Sequence, residues 1–379
     1  MKHLLNQRIF EVEESLIRKF NNIAKARGAE AVLTLGEPDF PTPKVIKDAC
    51  IAALDADKTK YGMTPGNLDF RQKVCEFEAR VNKVQYAPEE VTITTGSTEA
   101  LTAALMTLLN PGDEVITLAP AYPLYKNITT FLGGKIVSVD TSANHFQLSN
   151  ALLEGAITSK TKAIILTSPN NPTGAILNDG SLEAVYTAAK KHGFFVISDE
   201  CYNQLVYTER RLGFSKYQDI RDQIIVCQSL SKPYAMPGWR LGYLLASKAF
   251  TEQFQKVHQY MVIAVNTFIQ DAGITALDYD PSEMTESYRI RRDYVYARLK
   301  KMGMDVELPD GAFYMFPSIK KFGLDSWEFC SRLLDSEKVA LVPGICFDAD
   351  DYIRISYCVD QETITLAMDR LERFIRTLA

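Results

Sequence analysis

Three small residues, two of them with hydroxyl groups, form a candidate ligand-binding turn, called the phosphate-type turn below. Gly96, Ser97 and Thr98 follow the run VTITT and begin a helical pattern. Backbone N–H groups and hydroxyls at the positive end of a helix suit a phosphate, although an ordinary helix cap is the alternative. The chain has neither GxGxxG nor GxxxxGKS/T, so the dinucleotide-binding and P-loop interpretations lose their usual support.

An acid and a lysine follow two later apolar runs. Asp199 and Tyr202 lie in SDECY directly after FFVI, and Lys232 ends SLSK shortly before Arg240. A carboxylate at a pocket edge is costly to bury without a cation, which points to a cationic partner for Asp199. The alternative interpretations are a helix cap for Asp199 and an ordinary surface position for Lys232. Asn171 lies in SPNNPTG, which also predicts a turn. Together with the phosphate-type turn, these are the parts that hold pyridoxal 5′-phosphate (PLP).

The polar segments belong to an alternation of apolar strands and amphipathic helices that begins near residue 90. The predicted strands are Val91–Thr94, Glu114–Leu118, Lys135–Val139, Lys162–Thr167, Phe194–Ser198, Gln223–Ser229 and Arg240–Ala246. Such strands predict a mostly parallel sheet covered on both faces, with ligands beyond the carboxyl ends of its strands. A helix over Ser181–Lys191 should end at Gly193. The short link through Pro237 and Gly238 leaves no room for a helical crossover, so the last strand is predicted to be antiparallel.

The pattern changes after Pro281. A long charged helix, Ser282–Met302, precedes three smaller predicted strands and a terminal helix; the strands are Ala312–Phe316, Val339–Val342 and Tyr352–Tyr357. We therefore predict an α/β protein with a large domain over residues 46–280 and a small domain over 281–379. The N-terminal segment, 1–45, is expected to join the small domain.

Composition excludes several classes of function. The 42 Lys and Arg residues are outnumbered by 47 Asp and Glu residues, so the basic excess typical of a nucleic-acid binder is missing. No apolar run approaches the ~18 residues of a membrane span, and the N-terminus becomes acidic too early for a signal peptide. The seven cysteines show no CxxC or Cys/His ligand spacing. We expect reduced thiols in a cytoplasmic protein without a metal site.

A set of motifs occurs in one order along the chain: LGEPDF, KYGMTPG, TGSTEA, PAYPLY, SPNNPTG, SDECY, SLSK with GWRLG, and YIRIS. Over essentially its whole length the chain resembles the class I/II aminotransferases of fold type I. Within this family it is similar to the subgroup of bacterial N-acetyl-LL-diaminopimelate, aromatic and aspartate aminotransferases. The resemblance implies a large domain with a mostly parallel seven-stranded sheet between helices and a small α/β domain built from both termini.

The resemblance implies catalytic roles for three residues. Lys232 matches the lysine that bonds covalently to PLP and later carries a proton, and Asp199 matches the acid that pairs with the pyridine nitrogen. Tyr202, with Asn171, matches the donors to the ring's phenolic oxygen. A free lysine has a pKa of about 10.4, which must fall by roughly three units for the neutral amine to be common at pH 7. Covalent bonding to the cofactor and a nearby Arg240 are the expected causes.

The resemblance also implies how the cofactor is held. Tyr122 matches the aromatic residue that stacks on the ring, although a core tyrosine is the alternative. Tyr61 matches a tyrosine that reaches the phosphate from the partner subunit, which implies a homodimer with shared active sites. The implied phosphate-binding set is Gly96, Ser97, Thr98, Ser229 and Arg240.

The implied substrate-binding residues are Arg354, Asn171 and Gly36. Arg354, in YIRIS, matches the fork that binds the substrate α-carboxylate, and an exposed edge arginine is the alternative. Arg18, in SLIRKF, is a candidate for binding a side-chain carboxylate, and a solvated helix position is its alternative.

The implied reaction moves an amino group from an L-amino acid to a 2-oxo acid by a ping-pong mechanism, with 2-oxoglutarate expected as acceptor. N-acetyl-LL-diaminopimelate or an aromatic amino acid is the candidate donor. A carbon–sulfur β-lyase on the same fold, releasing pyruvate, ammonia and a thiol, remains an alternative. A PLP-binding regulator module needs a DNA-binding domain, for which the roughly 35 residues before LGEPDF are too few.

Overall fold

The computed structural model describes residues 2–12, 14–209 and 213–378. Within these ranges the α-helices are α1 (Leu16–Ala26), α2 (Lys44–Asp55), α3 (Leu68–Val81), α4 (Ser97–Leu108), α5 (Leu124–Phe131), α6 (Asn150–Ala156), α7 (Asp179–His192), α8 (Lys248–Val262), α9 (Thr267–Asp278), α10 (Ser282–Lys301), α11 (Ser326–Glu337) and α12 (Gln361–Leu378). The strands are β1 (Ala31–Val32), β2 (Val91–Thr94), β3 (Glu114–Ala119), β4 (Lys135–Asp140), β5 (Thr161–Thr167), β6 (Phe195–Asp199), β7 (Ile224–Ser229), β8 (Gly242–Leu245), β9 (Tyr314–Met315), β10 (Val339–Ala340), β11 (Val342–Pro343) and β12 (Ile353–Ser356).

Seven strands form the central sheet in the order β2-β8-β7-β6-β5-β3-β4. Strand β8 pairs antiparallel with both β2 and β7, and the other pairings are parallel. The predicted sheet and its antiparallel last strand are confirmed, and six of the seven predicted strands agree with the structure to within one residue. The seventh begins at Gly242, not at Arg240, because Arg240 has a left-handed backbone with a φ of +53° that an extended strand does not accept.

Both faces of the central sheet are buried. Alternate side chains of a strand point to opposite faces, so Ile164 and Ile165 of β5 enter two different hydrophobic cores. Helices α2, α3, α7 and α9 cover the first core, and α4, α5 and α8 cover the second. The sheet between helices is thus confirmed, and its strand ends are fixed by packing on two sides.

Helix α7 shows how local sequence signals set the helix ends. The Asn178 side chain accepts a hydrogen bond from the Ser181 amide at 2.8 Å and caps the start of the helix. Gly193 ends it with a left-handed φ of 78°, as predicted. This ending aims the chain directly into β6, whose last residue is Asp199.

The C-terminal third contains two small sheets. Strands β11, β12 and β9 form an antiparallel sheet, and β10 pairs in parallel with the N-terminal β1. The prediction of a single strand over Val339–Val342 is wrong, because the chain changes partners at Leu341. Residues 339–340 lie beside β1, and residues 342–343 lie beside β12.

The N-terminal segment packs on the C-terminal elements. Phe20 of α1 and Leu33 share a hydrophobic core with Leu333 of α11 and Ile364 of α12. This packing supports the predicted division of the chain at residues 45 and 280, which stays a prediction.

Among the described residues, no helix is both long and apolar enough to cross a membrane. Across the same ranges, His, Cys, Asp and Glu side chains do not gather in groups of three that could hold a metal ion. All seven cysteines are free thiols.

Two buried carboxyl groups lie beneath the sheet without an ion-pair partner among the described residues. Glu78 accepts a hydrogen bond from the Tyr243 hydroxyl at 2.7 Å, and Glu200 accepts one from the Ser198 hydroxyl at 2.9 Å. Burial raises the pKa of both carboxyl groups, and the nearby Glu78 helps to raise the pKa of Glu200 to about 8. Glu200 is therefore expected to be mostly protonated in the folded protein at neutral pH.

Glu200→Gln is expected to stabilise the protein relative to wild type by a margin that grows with pH. The pKa of Glu200 in the folded chain exceeds the value of about 4.3 in an unfolded chain. Wild type therefore loses up to about 1.4 kcal/mol of unfolding free energy per pH unit between these two values, whereas glutamine has no proton to lose. Urea unfolding at about pH 5.5 and about pH 7.5 measures the margin. The exposed Glu252→Gln is the control, and a pH-independent margin for Glu200→Gln would contradict the argument.

Candidate active site

A deep cleft lies at the carboxyl-end edge of the central sheet, beneath the small sheets of the C-terminal third. It contains about 1830 Å³ of space, part of it open to solvent. Residues far apart in sequence meet here because the carboxyl ends of parallel strands share one edge. The predicted residues that line it are Arg18, Gly36, Ser97, Thr98, Tyr122, Asn171, Asp199, Tyr202, Ser229, Lys232, Arg240 and Arg354.

Two predicted residues do not line this cleft. Gly96 lies directly behind it with a left-handed φ of +83°, and a Cβ atom there would lie 3.0 Å from Nη2 of Arg240. A glycine therefore suits both the backbone and the close guanidinium. Tyr61 is 85% exposed and lines a separate, open cavity with Thr267 and Asp271. Within one chain, the structure does not bring Tyr61 to the cleft.

Asp199 is a buried carboxylate at the end of β6. Its Oδ2 accepts a hydrogen bond of 2.7 Å from the Tyr125 hydroxyl, which lies 2.7 Å from the Thr167 hydroxyl. Burial raises the pKa of Asp199, and the Tyr125 hydrogen bond opposes that rise. No ion pair among the described residues includes Asp199. The site thus holds an acid whose ionised form lacks a cation, which suits a cationic ligand group.

Lys232 is half-buried, and its Nζ donates a 2.6 Å hydrogen bond to the Gly36 carbonyl. Burial lowers the pKa of Lys232, and Arg240 acts in the same direction. The thiols of Cys201 and Cys358 oppose the shift. The lowered pKa of Lys232 agrees with the expectation for a reactive amine. Burial is the main cause of the lowering, and Arg240 is a smaller one.

The residues predicted to bind the phosphate come from three segments of the chain. Ser97 begins α4 directly after Gly96, a cap residue without a side chain to occupy the first N–H groups. Ser229 ends β7, and its hydroxyl donates a 2.9 Å hydrogen bond to the hydroxyl of Ser231, which also lines the cleft. The Arg240 guanidinium lies beside Gly96 and donates to the Pro237 carbonyl at 2.9 Å. Hydroxyls, helix N–H groups and a guanidinium in one place suit an anionic ligand group.

Arg354 lies in β12 and is 2% exposed. Its Nη1 donates to Oδ1 of Asn171 at 2.9 Å, and its Nη2 donates to the Thr34 carbonyl at 2.7 Å. Its buried Nε has no hydrogen-bond partner, and no ion pair of the described residues includes its guanidinium. The group lies over the rings of Tyr314 and Phe347, at 4.6 and 4.9 Å. A buried cation without a counter-ion suits a carboxylate ligand.

Tyr202 is linked to a tyrosine of the C-terminal small sheet. Its hydroxyl lies 2.7 Å from the hydroxyl of Tyr314 in β9. A Cβ atom on Gly36 would overlap the Tyr314 hydroxyl, at 1.9 Å, so Gly36 must lack a side chain here. Tyr314 therefore contacts Tyr202, Gly36 and the face of Arg354 at once.

Tyr122 and Arg18 lie toward the open side of the cleft. Tyr122 is 36% exposed, and its ring packs edge-on against Tyr125 with 6.0 Å between centroids. The stacking role of Tyr122 stays a prediction. Arg18 is exposed on α1 and lines the cleft, and its role in binding a side-chain carboxylate stays a prediction.

Several residues that shape the cleft were not predicted from the sequence. Tyr125, Ser231 and Tyr314 line it. Tyr125 and Ser231 belong to the motifs PAYPLY and SLSK, and Tyr314 lies in the predicted strand Ala312–Phe316. Membership of those motifs and of that strand was the available signal. Which polar partner each one would contact depended on distant parts of the chain.

The fold and the cleft define an α/β enzyme with a half-buried amine, a buried acid and a group of hydroxyls and a guanidinium at one sheet edge. The chain matches the family model described as aminotransferase class I and II over residues 31–371. The chain belongs to this family, whose members are PLP-dependent transferases of amino groups.

Three relatives illustrate the likeness. The chain is 42% identical to a probable N-acetyl-LL-diaminopimelate aminotransferase of Bacillus subtilis, over 99% of this chain and 96% of that protein. It is 36% identical to an aromatic-amino-acid aminotransferase 2 of Thermococcus litoralis, over 98% of each. The crystal structure of an aspartate aminotransferase from Thermotoga maritima superimposes with a TM-score of 0.94 at 36% identity, over 98% of this chain and 100% of that one. The predicted family and fold class are confirmed.

Proposed function

We propose that this aminotransferase binds PLP covalently through Lys232 and transfers the amino group of an L-amino acid to 2-oxoglutarate. The observation that carries the proposal is the pair of uncompensated buried charges in one cleft. Within the described part of the chain, Asp199 is a buried acid without a cation, and Arg354 is a buried cation without an anion. A cationic ring nitrogen and a substrate carboxylate supply the two missing charges.

The residues present fit PLP. The ligand has an anionic phosphate, a basic ring nitrogen and an aldehyde, and the cleft offers a group for each. The anion site formed by Ser97, Ser229 and Arg240 suits the phosphate, Asp199 suits the protonated nitrogen, and the half-buried amine of Lys232 suits the aldehyde.

PLP supplies an electron-accepting ring when it is bound. Asp199 would hold the proton on the ring nitrogen, and Tyr202 and Asn171 would donate to the ring's phenolic oxygen. The Lys232 amine would take the proton from the substrate's α-carbon, since burial already lowers its pKa toward the operating range. Arg354 would hold the α-carboxylate and so fix which substrate bond lies next to the lysine.

A ping-pong order follows from the single carboxylate site proposed here. Amino acid and 2-oxo acid both carry a carboxylate beside the reacting carbon, and both would use Arg354. They must then occupy the cleft in turn, so the first product leaves before the second substrate binds. The proposed donor is N-acetyl-LL-diaminopimelate or an aromatic amino acid, which the names of the two curated relatives support.

A homodimer with shared active sites completes the proposal. Tyr61 is highly exposed and lies away from its own cleft, as a residue serving a neighbouring subunit would. Met63, Tyr260 and Ile263 are further exposed apolar side chains. Exposed apolar side chains of this kind favour burial against a second copy of the chain.

A donor screen tests the proposed function. The purified enzyme with PLP and 2-oxoglutarate is given each candidate amino acid, and glutamate and pyruvate are measured separately. Glutamate formed in equal amount to the donor's 2-oxo acid is the expected result. Pyruvate released from cystathionine without any acceptor would instead support the β-lyase alternative.

Arg354→Lys is expected to raise KM for every amino acid and 2-oxo acid tested by about 10- to 100-fold, the effect of losing a charge-assisted hydrogen bond. An ammonium cannot reproduce the two-pronged guanidinium geometry that Asn171 and the Thr34 carbonyl fix. Steady-state kinetics with several donors measures the change. Arg332→Lys, on the exposed side of α11, is the matched control. An unchanged KM would rule out this role for Arg354.

A further inference from the structure

A buried acid–histidine pair lies behind the phosphate-type turn. Glu99 is in the first turn of α4, and His258 is in α8. Oε1 of Glu99 lies 2.5 Å from Nδ1 of His258, and the side chains are 5% and 0% exposed. Neither side chain lines the cleft, so the roles proposed above leave this pair unexplained.

The pair makes contacts in two directions. Oε2 of Glu99 accepts hydrogen bonds from the Thr95 amide at 2.5 Å and the Thr95 hydroxyl at 2.8 Å. Thr95 directly precedes Gly96, so Glu99 fixes the start of the phosphate-type turn. On the other side, Nε2 of His258 lies 2.9 Å from the Thr64 carbonyl. A carbonyl only accepts, so Nε2 carries the proton there.

Thr64 belongs to the segment that carries Tyr61. Other side chains hold this segment without touching the turn: Thr267 donates to the Lys58 and Lys60 carbonyls, and Arg71 donates to the Gly66 carbonyl. The backbone makes one connection, since the Ile93 amide, in the strand that leads to the turn, donates to the Pro65 carbonyl at 3.0 Å. A buried side-chain path from Thr95 through Glu99 and His258 to Thr64 also joins the segment to the turn.

We propose that Glu99 and His258 are positioning residues that hold the phosphate-type turn and the Tyr61 segment in one fixed arrangement. The inference rests on the proposed binding of PLP. The turn would serve this subunit's phosphate, and Tyr61 would serve the partner's. One buried pair therefore helps to set the phosphate-binding geometry of both active sites. Buried polar networks of this kind fix the orientation of the groups they bond to.

Binding of PLP and of pyridoxal to the apoenzyme tests the inference, because pyridoxal lacks only the phosphate. His258→Gln lacks the contact with Glu99, and Thr95→Val lacks the hydroxyl that donates to Glu99. His258→Gln is expected to raise the Kd for PLP about tenfold, and Thr95→Val about threefold, with the Kd for pyridoxal unchanged. Inorganic phosphate should compete with PLP correspondingly less well in both variants.

Thr251→Val is the matched control. Thr251 is buried in the same helix as His258, and its hydroxyl bonds the Glu89 carbonyl at 2.8 Å, far from the turn in the hydrogen-bond network. This variant should lose thermal stability while keeping the wild-type Kd for PLP.

Two results would overturn the inference alone. The first is an equal loss of PLP and pyridoxal affinity in the variants, which indicates general damage to the fold. The second is wild-type PLP affinity in both folded variants; should His258→Gln not fold, Thr95→Val decides. A wild-type protein that binds no PLP would overturn the proposed function and this inference with it.

Discussion

Lys232→Ala is expected to abolish amino-group transfer, lowering kcat by at least about 10⁴-fold. The wild-type amine is half-buried, donates to the Gly36 carbonyl, and has a pKa lowered by burial. Alanine removes both the group that would bond to PLP and the group that would move the substrate proton. Glutamate formation from each accepted donor measures the loss. Borohydride reduction followed by mass spectrometry should show covalently attached PLP in wild type and none at position 232 of the variant.

Lys248→Ala is the control for this experiment, because Lys248 is an exposed lysine at the start of α8. It should retain wild-type turnover and PLP attachment. Normal transfer by Lys232→Ala would remove Lys232 from the mechanism and with it the central assignment of the proposed function.

The strand ends were the most predictable part of the fold. Apolar runs bounded by polar turns set six of the seven central strands to within one residue, because both faces of the sheet are covered. The short strands of the C-terminal third were less predictable. Residues 339–343 divide between two sheets according to which partners lie nearby, and a local pattern does not record those partners.

In the cleft, too, the local motifs were predictable and the contacts between distant parts of the chain were not. Motif positions placed Asp199, Lys232 and Arg354 at one site, and the structure brings all three to it. The side chains that orient them were not predictable, since Tyr125 meets Asp199 across 74 positions and Tyr314 meets Tyr202 across 112. Such contacts depend on how helices and small sheets pack over the cleft, which composition and periodicity do not determine.

The Glu99–His258 pair is another contact that the sequence did not predict. Glu99 lies within a recognisable motif, but its partner lies 159 positions away in a helix with no distinguishing pattern. From sequence, an acid in the first helical turn is explained by the helix dipole alone. The structure adds a buried imidazole and a carbonyl from the Tyr61 segment, which turn an ordinary helix-start acid into one half of a link between two parts of the site.

The buried charges in the cleft lower the stability of the protein without a ligand and favour the binding of one. Asp199 and Arg354 each lack an ion-pair partner among the described residues, so each costs stability until a ligand arrives. Tyr125 and Asn171 reduce that cost by hydrogen bonding to the two groups without neutralising them. Stability given up in this way becomes binding energy for a ligand of complementary charge, and PLP should therefore raise the unfolding temperature.

Asp199→Asn is expected to lower kcat/KM by about 10²- to 10⁴-fold, the contribution of one well-placed proton. Asparagine keeps the size of the side chain and an oxygen for the Tyr125 hydroxyl, so the fold should persist. A neutral amide, however, gives no electrostatic stabilisation to a protonated ring nitrogen. Kinetics with the donor selected by the screen measures the loss, and circular dichroism confirms the fold.

The matched control for Asp199→Asn is the substitution next to it, Glu200→Gln. Glu200 is equally buried but does not line the cleft, and burial already raises the pKa of its carboxyl group to about 8, so it carries little charge at neutral pH. Removing its proton-binding capacity should leave kcat/KM near the wild-type value. Equal losses for the two substitutions would mean that a negative charge at Asp199 is not what the reaction needs. A large loss confined to Asp199→Asn would support the pairing of this carboxylate with the ring nitrogen.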